Sequence, residues 1–127
     1  MSNVRPRKNR LSLCCMENSL YEWLDRIEVR PGMYLLEPSF ASLTSFIDGF
    51  EIALTSRHVS DDTDPPFSSF DKYVAQRLEH HTTDEEREYL GDPSWRRCIL
   101  AAETDDLGAF KLFFTLLREF RAKGLAE

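Results

Sequence analysis

Asp105-Asp106-Leu107-Gly108-Ala109-Phe110-Lys111-Leu112-Phe113-Phe114-Thr115-Leu116-Leu117-Arg118-Glu119-Phe120 is the stretch that decides the fold. Phe110, Phe113, Phe114, Leu117 and Phe120 recur three and four residues apart, which places them on one stripe of an α-helix and nowhere on one face of a strand. Asp105 or Asp106 serves as its N-cap, and Gly124 is expected to stop it. A helix this rich in phenylalanine needs other helices to cover it. The rest of the chain supplies them.

Working back toward the N-terminus, Asp92-Pro93-Ser94 restarts a helix that carries Trp95, Cys98, Ile99 and Ala102. Thr83-Asp84-Glu85-Glu86 has the Thr-x-x-Glu form of a capping box, so a short helix is expected over 84–90, closed by Gly91. Phe70, Tyr73, Val74 and Leu78 mark the buried side of a helix over about 69–80. His58 to Pro66 is rich in Asp, Ser and Pro and reads as a loop. Before it, Ser39 caps a helix over 40–56 with Phe40, Leu43, Phe46, Ile47, Phe50 and Leu54 in one stripe.

A first helix, from Glu17 to about Glu28 with Asn18 or Ser19 as cap, bears Leu20, Tyr21, Trp23, Leu24 and Ile27. Pro31 removes Arg30 from helical geometry and Gly32 permits a positive φ, so Val29 to Gly32 is expected to form a tight turn. Met33 to Leu35 follows as an extended or one-turn segment. The expectation is an all-α, single-domain bundle of about five to six helices over residues 16–127, preceded by a flexible basic arm over 1–15. Either Met1 or Met16 reads as a start, and the sequence leaves both open.

A chain of 127 residues fits one hydrophobic core. The apolar share of 42%, with 9 Phe, 4 Tyr and 2 Trp, is enough to build it. No apolar run reaches the roughly 18 residues that cross a bilayer, and the basic start Arg5, Arg7, Lys8, Arg10 lacks the apolar stretch of a secretory leader. A cytoplasmic protein without a membrane partner is expected. Three cysteines, two of them adjacent, form neither a disulfide framework nor a zinc spacing. Cys98 falls among apolar positions and is expected in the core.

The net charge is −6 over the whole chain. All 22 acids lie at or beyond Met16, together with 12 of the 16 bases, so that part carries −10. Such a field repels nucleic acid and steers basic partners inward.

The residues that could do chemistry are few. His80 and His81 point about 100° apart on a helix and do not readily share a metal. Asp61, Asp62 and Asp64 alternate like a calcium loop but lack its glycine and its distant glutamate. No phosphate-binding glycine loop, Gly-x-Ser-x-Gly, Cys-x-x-Cys or His-Glu-x-x-His is present. No catalytic residue, metal or cofactor is expected, and the chain is read as a binding protein and not an enzyme.

The string Arg30-Pro31-Gly32-Met33-Tyr34 also occurs in the DNA gyrase B family, whose ATP site needs an Asn-bearing helix and Gly-rich lid motifs that this chain lacks. A wider likeness covers most of Met16 to Gly124. It comprises this turn, a helix ending near Asp48-Gly49-Phe50, the Ser94-Trp95 helix start and the Ala109-Phe110-x-x-Phe113-Phe114-x-Leu116-Leu117-x-x-Phe120 helix. In these the chain resembles small bacterial immunity proteins encoded beside polymorphic or contact-dependent toxins. Leu36 departs from the glycine usual after the turn.

The resemblance implies binding and occlusion of a cognate toxin, one that is basic where it acts on nucleic acid or nucleotides. The contact residues expected are Asp61, Asp62, Asp64, Asp84, Glu85, Glu86 and, in the turn, Tyr34. Two other readings stay open, with the oligomeric state. An adaptor subunit would expose an apolar patch of several hundred Å². A small hydrolase would bring His58, His80 or His81 together with acids in a pocket.

Overall fold

Helices here begin where a short polar side chain can take an otherwise unpaired backbone N–H. In the computed structural model, which describes residues 19–126 with side chains as far as Lys123, Ser19, Ser39, Thr83 and Ser94 each accept from the N–H three residues on. Ser19–Glu22 and Thr83–Glu86 are full capping boxes, the glutamates returning to the cap N–H at 2.9 and 3.0 Å. The arm over 1–15, with Cys14, Cys15 and Met16, lies outside the described residues.

These starts give α1 (Leu20–Val29), α2 (Pro31–Tyr34), α3 (Phe40–Ser56), α4 (Phe70–Arg77), α5 (Asp84–Leu90), α6 (Trp95–Ala102) and α7 (Asp106–Ala126), with a 3₁₀ turn at Phe67–Ser69 leading into α4. All elements among the described residues are helical, so the all-α expectation holds, with seven α-helices against about five to six.

Four boundaries differ from the sequence expectation. Helix α1 begins at Leu20, capped by Ser19, and not at Glu17. Pro31 opens a single helical turn instead of a tight turn, since proline's fixed φ suits the first helical position equally well, and Gly32 does not use a positive φ. Helix α4 stops at Arg77 because Glu79 takes the left-handed conformation (φ 51°) and the His80 N–H bonds back to the Ala75 carbonyl at 2.9 Å, a Schellman closure without glycine. His58 (φ 55°) closes α3 the same way, with the Val59 N–H on the Leu54 carbonyl. At the far end, α7 runs through Gly124 to Ala126.

The core is the α7 stripe and what it touches. Helix α7 packs against α3, α4 and α6. Phe113, fully buried, meets Trp95 at 5.0 Å, Phe114 at 5.1 Å and Phe70 at 5.6 Å between ring centres. Phe67 stacks on Phe70 and Phe40 meets Trp95 edge-on. Such edge and offset pairs add roughly 0.5–1.5 kcal/mol each beyond burial. Leu20, Leu24 and Ile27 of α1 join Leu43 and Ile47 of α3 in the same cluster, and Cys98 is inside it as expected.

Polar side chains fix the helices' relative positions. Asp71 accepts from the Trp95 N–H at the start of α6, and Asp106 from the Phe40 N–H at the start of α3, both at 2.7 Å. Arg96 of α6 grips Asp48 of α3 through both guanidinium nitrogens, which holds the Asp48 carboxyl below the usual range. No helix among the described residues is long and apolar enough to cross a membrane.

Candidate partner-binding surfaces

The expected contact residues fall on three separate elements. Tyr34 lies on α2, Asp61, Asp62 and Asp64 on the loop after α3, and Asp84, Glu85 and Glu86 in the first turn of α5.

Tyr34 stands in an aromatic row. Trp23 of α1 meets it edge-on at 5.9 Å and reaches Phe46 of α3 at 6.5 Å, and Phe46 in turn stacks on Phe50. These rings are only half-buried, apart from Tyr34, which is exposed. Beside them Val29 (77% exposed), Met33 and Leu36 (99% exposed) face solvent. Two open hollows flank Tyr34. One is lined by Asp25, Arg26, Val29, Arg30 and Met33, the other by Leu35, Leu36, Ala41, Ser42, Ser45 and Phe46.

The Arg26 guanidinium sits 4.8 Å from the Trp23 ring. Two acids of this helix pair with α7, Asp25 with Arg121 at 2.6 Å and Glu28 with Arg118 at 2.7 Å. The rim of the Tyr34 face thus carries both signs, Asp25 beside Arg26 and Arg30. Sequence reasoning singled out Tyr34 but not Val29, Met33 or Leu36.

The acidic loop does structural work at one of its three aspartates. Asp61 is half-buried against the start of α1, where its carboxylate accepts backbone hydrogen bonds from Leu20 and Asp62; burial raises its pKa, and Oδ1 is buried without a partner. Asp62 and Asp64 are exposed. The loop is also tied down at Pro65, whose carbonyl accepts from the buried Tyr21 hydroxyl.

Helix α5 has no buried residue. Its capping box commits the Glu86 carboxylate to Thr83 and holds its pKa low, while Asp84 and Glu85 are exposed on either side of the same turn. Tyr89 is 88% exposed and Leu90 52% exposed just before Gly91 (φ 83°) ends the helix. An exposed aromatic among carboxylates is the composition of an interface anchor. Sequence reasoning missed Tyr89, although the signal existed: α5 has no apolar stripe, so its aromatic has no core to enter.

The histidines sit at the ends of different helices, His58 closing α3 and His80 and His81 following α4. Among the described residues no group of three or more His, Cys, Asp or Glu is placed to hold a metal ion. Burial pushes the Cys98 thiol pKa up, away from the thiolate a nucleophile needs. No protein family, curated protein or solved structure matches the chain.

Proposed function

We propose that the chain is an immunity protein, which binds a cognate bacterial toxin and neutralises it by covering the toxin's active or substrate surface. The observation that carries this reading is α5, a capped, wholly exposed helix presenting Asp84 and Glu85 beside Tyr89. Carboxylates steer a basic partner into contact, and an aromatic ring then provides the affinity that charge alone does not. A helix of 7 residues is about 10 Å long, a fitting size for insertion into a cleft. Asp62 and Asp64 add to the attracting field from the loop after α3.

The chain contributes no reaction step under this reading: occlusion needs shape, charge and slow release. The test is a pull-down of the tagged protein against the product of the adjacent toxin gene, together with rescue of cells expressing that product. Binding with rescue supports the role. Neither binding nor rescue overturns it.

One observation favours a second reading. The apolar face around Tyr34 is what an adaptor subunit would offer to a larger complex. Binding of a partner with no toxic activity, through this face and without rescue, would replace the first reading with that one.

A further inference from the structure

Between α4 and α6 the chain runs through a stretch that the core does not use. Residues 83–92 are exposed throughout, and α5 within them has no buried residue. Its ion pair, Arg87 with Asp92, closes inside the same stretch. Beyond it Glu86 feels the positive field of Arg97, an exposed attraction that contributes little. A helix of 7 residues is too short to hold itself together, since isolated helices below roughly 12–15 residues are marginal in water. Helices in proteins are held mainly by a packed apolar face, and α5 has none. Opening it uncovers little, because Tyr89 and Leu90 already face solvent. Left-handed backbone stands on either side of it, at Glu79 and Gly91, and burial resumes at Trp95.

A protease takes its substrate as an extended strand on both sides of the bond it cuts, so an exposed side chain is not enough. Tyr34 and Leu36 flank buried Leu35, Leu100 follows buried Ile99, and Leu107 precedes buried Ala109 and Phe110. Extending the chain at any of these pulls a core residue out. At Tyr89 it pulls out none. We propose that Tyr89–Leu90 is a cleavage site for a protease whose specificity pocket takes an aromatic ring, and that the chain survives the cut as a folded molecule in two pieces. Water adds across the peptide bond, leaving a carboxylate on Tyr89 and an amine on Leu90. The pieces, 1–89 and 90–127, share one core. Phe70 of the first packs on Phe113 of the second, Asp71 accepts from the Trp95 N–H, and Asp106 accepts from the Phe40 N–H. The cut leaves all three contacts in place and frees the end of α5 that carries Tyr89. On the immunity reading, on which this last step alone rests, cleavage switches toxin binding off without unfolding the protein.

Limited digestion of the full chain with chymotrypsin tests this. Within residues 19–123 the first bond cut is Tyr89–Leu90, identified by mass spectrometry. The two pieces then elute together in size exclusion at the position of the intact 14.8 kDa chain and separate in urea. The Tyr89→Ser/Leu90→Ser chain, both of whose replaced side chains are exposed, keeps the wild-type melting temperature and is cut there at least about tenfold more slowly. Below about 1 M urea the rate of the cut, measured relative to a short control peptide, rises only slightly, because opening α5 exposes little surface.

A first cut elsewhere among those residues overturns the proposal, as does a cut chain that falls apart without urea. So does undiminished cutting of the doubly substituted chain, or a rate that climbs with urea as steeply as global unfolding. Toxin binding by the cut chain is measured separately. If it persists, the immunity reading loses α5 as its contact and the cleavage site stands.

Discussion

Replacing Tyr89 with Ala separates folding from binding. The ring is 88% exposed in the free protein, so it is in water in the folded and unfolded chain alike, and its removal changes stability by no more than about 0.5 kcal/mol. At an interface the same ring has much to lose. Burying about 150 Å² at about 25 cal/mol/Å² is worth roughly 4 kcal/mol, and ordering the side chain takes back roughly 1 kcal/mol. With part of that area retained by the alanine, the loss is roughly 2–3 kcal/mol, about a 30- to 150-fold rise in Kd. Urea unfolding followed by circular dichroism, and calorimetric titration with the toxin domain, give the two numbers. Tyr89→Phe keeps the ring and stays close to wild type in both. An alanine variant that binds within about twofold of wild type refutes the assignment of α5 as the anchor. One that unfolds more than about 1 kcal/mol more easily refutes the account of α5 as a helix that contributes no core.

Four further outcomes follow from the same geometry. Phe113→Ala, at the fully buried centre of the aromatic cluster, costs about 3–5 kcal/mol in urea unfolding. Gly91→Ala meets no atom but must hold φ 83° with a side chain, so it costs about 1–3 kcal/mol; the loss appears as faster hydrogen exchange confined to α5. Glu79→Gly relieves the left-handed residue that closes α4 and stabilises by about 0.5–1 kcal/mol in thermal unfolding. Burial pushes the Tyr21 hydroxyl up to about 12 from 10.0, so an ultraviolet titration finds one tyrosine ionising near there. Because the folded pKa exceeds the unfolded one, the stability this group contributes is intact below pH 10 and is lost as pH rises from about 10 to 12.

Helices α3 and α5 were legible to the residue because their signals are local. Ser39 and the Thr83–Glu86 box mark the starts, and Gly91 marks an end. The ends of α4 and α7 were not, because the deciding events leave no residue-type signature: Glu79 enters the left-handed region where glycine is usual, and Gly124 stays helical although it is usually a stop. Pro31-Gly32 fits a turn and a helix start equally well, and packing against α1 selects the latter. Exposed acids could be named from their charge, yet Asp61 shows the limit, since its half-burial depends on a loop folding back onto Leu20. The Tyr34 face was harder still. An aromatic side chain is exposed only when no other element covers it, and that is a property of the assembled fold.

The arrangement of α1 decides which of its charges are neutralised within the molecule. Its buried stripe is Leu20, Leu24 and Ile27. At about 100° per residue, Glu28 and Asp25 fall along one side of that stripe, while Trp23, Arg30 and Arg26 fall along the other, with Val29 beyond them. The acidic side meets Arg118 and Arg121 of α7 and is neutralised within the molecule; exposed pairs contribute little to stability, so the apolar stripe, not the charges, sets the rotation of the helix. The other side, with Arg26 over Trp23 and the exposed Val29, faces outward. Screening confines the field of the α5 carboxylates to about 10 Å, so a partner that approaches Tyr34 does not feel it. A partner at α5 is thus drawn first by charge, and one at the Tyr34 face is held by apolar contact.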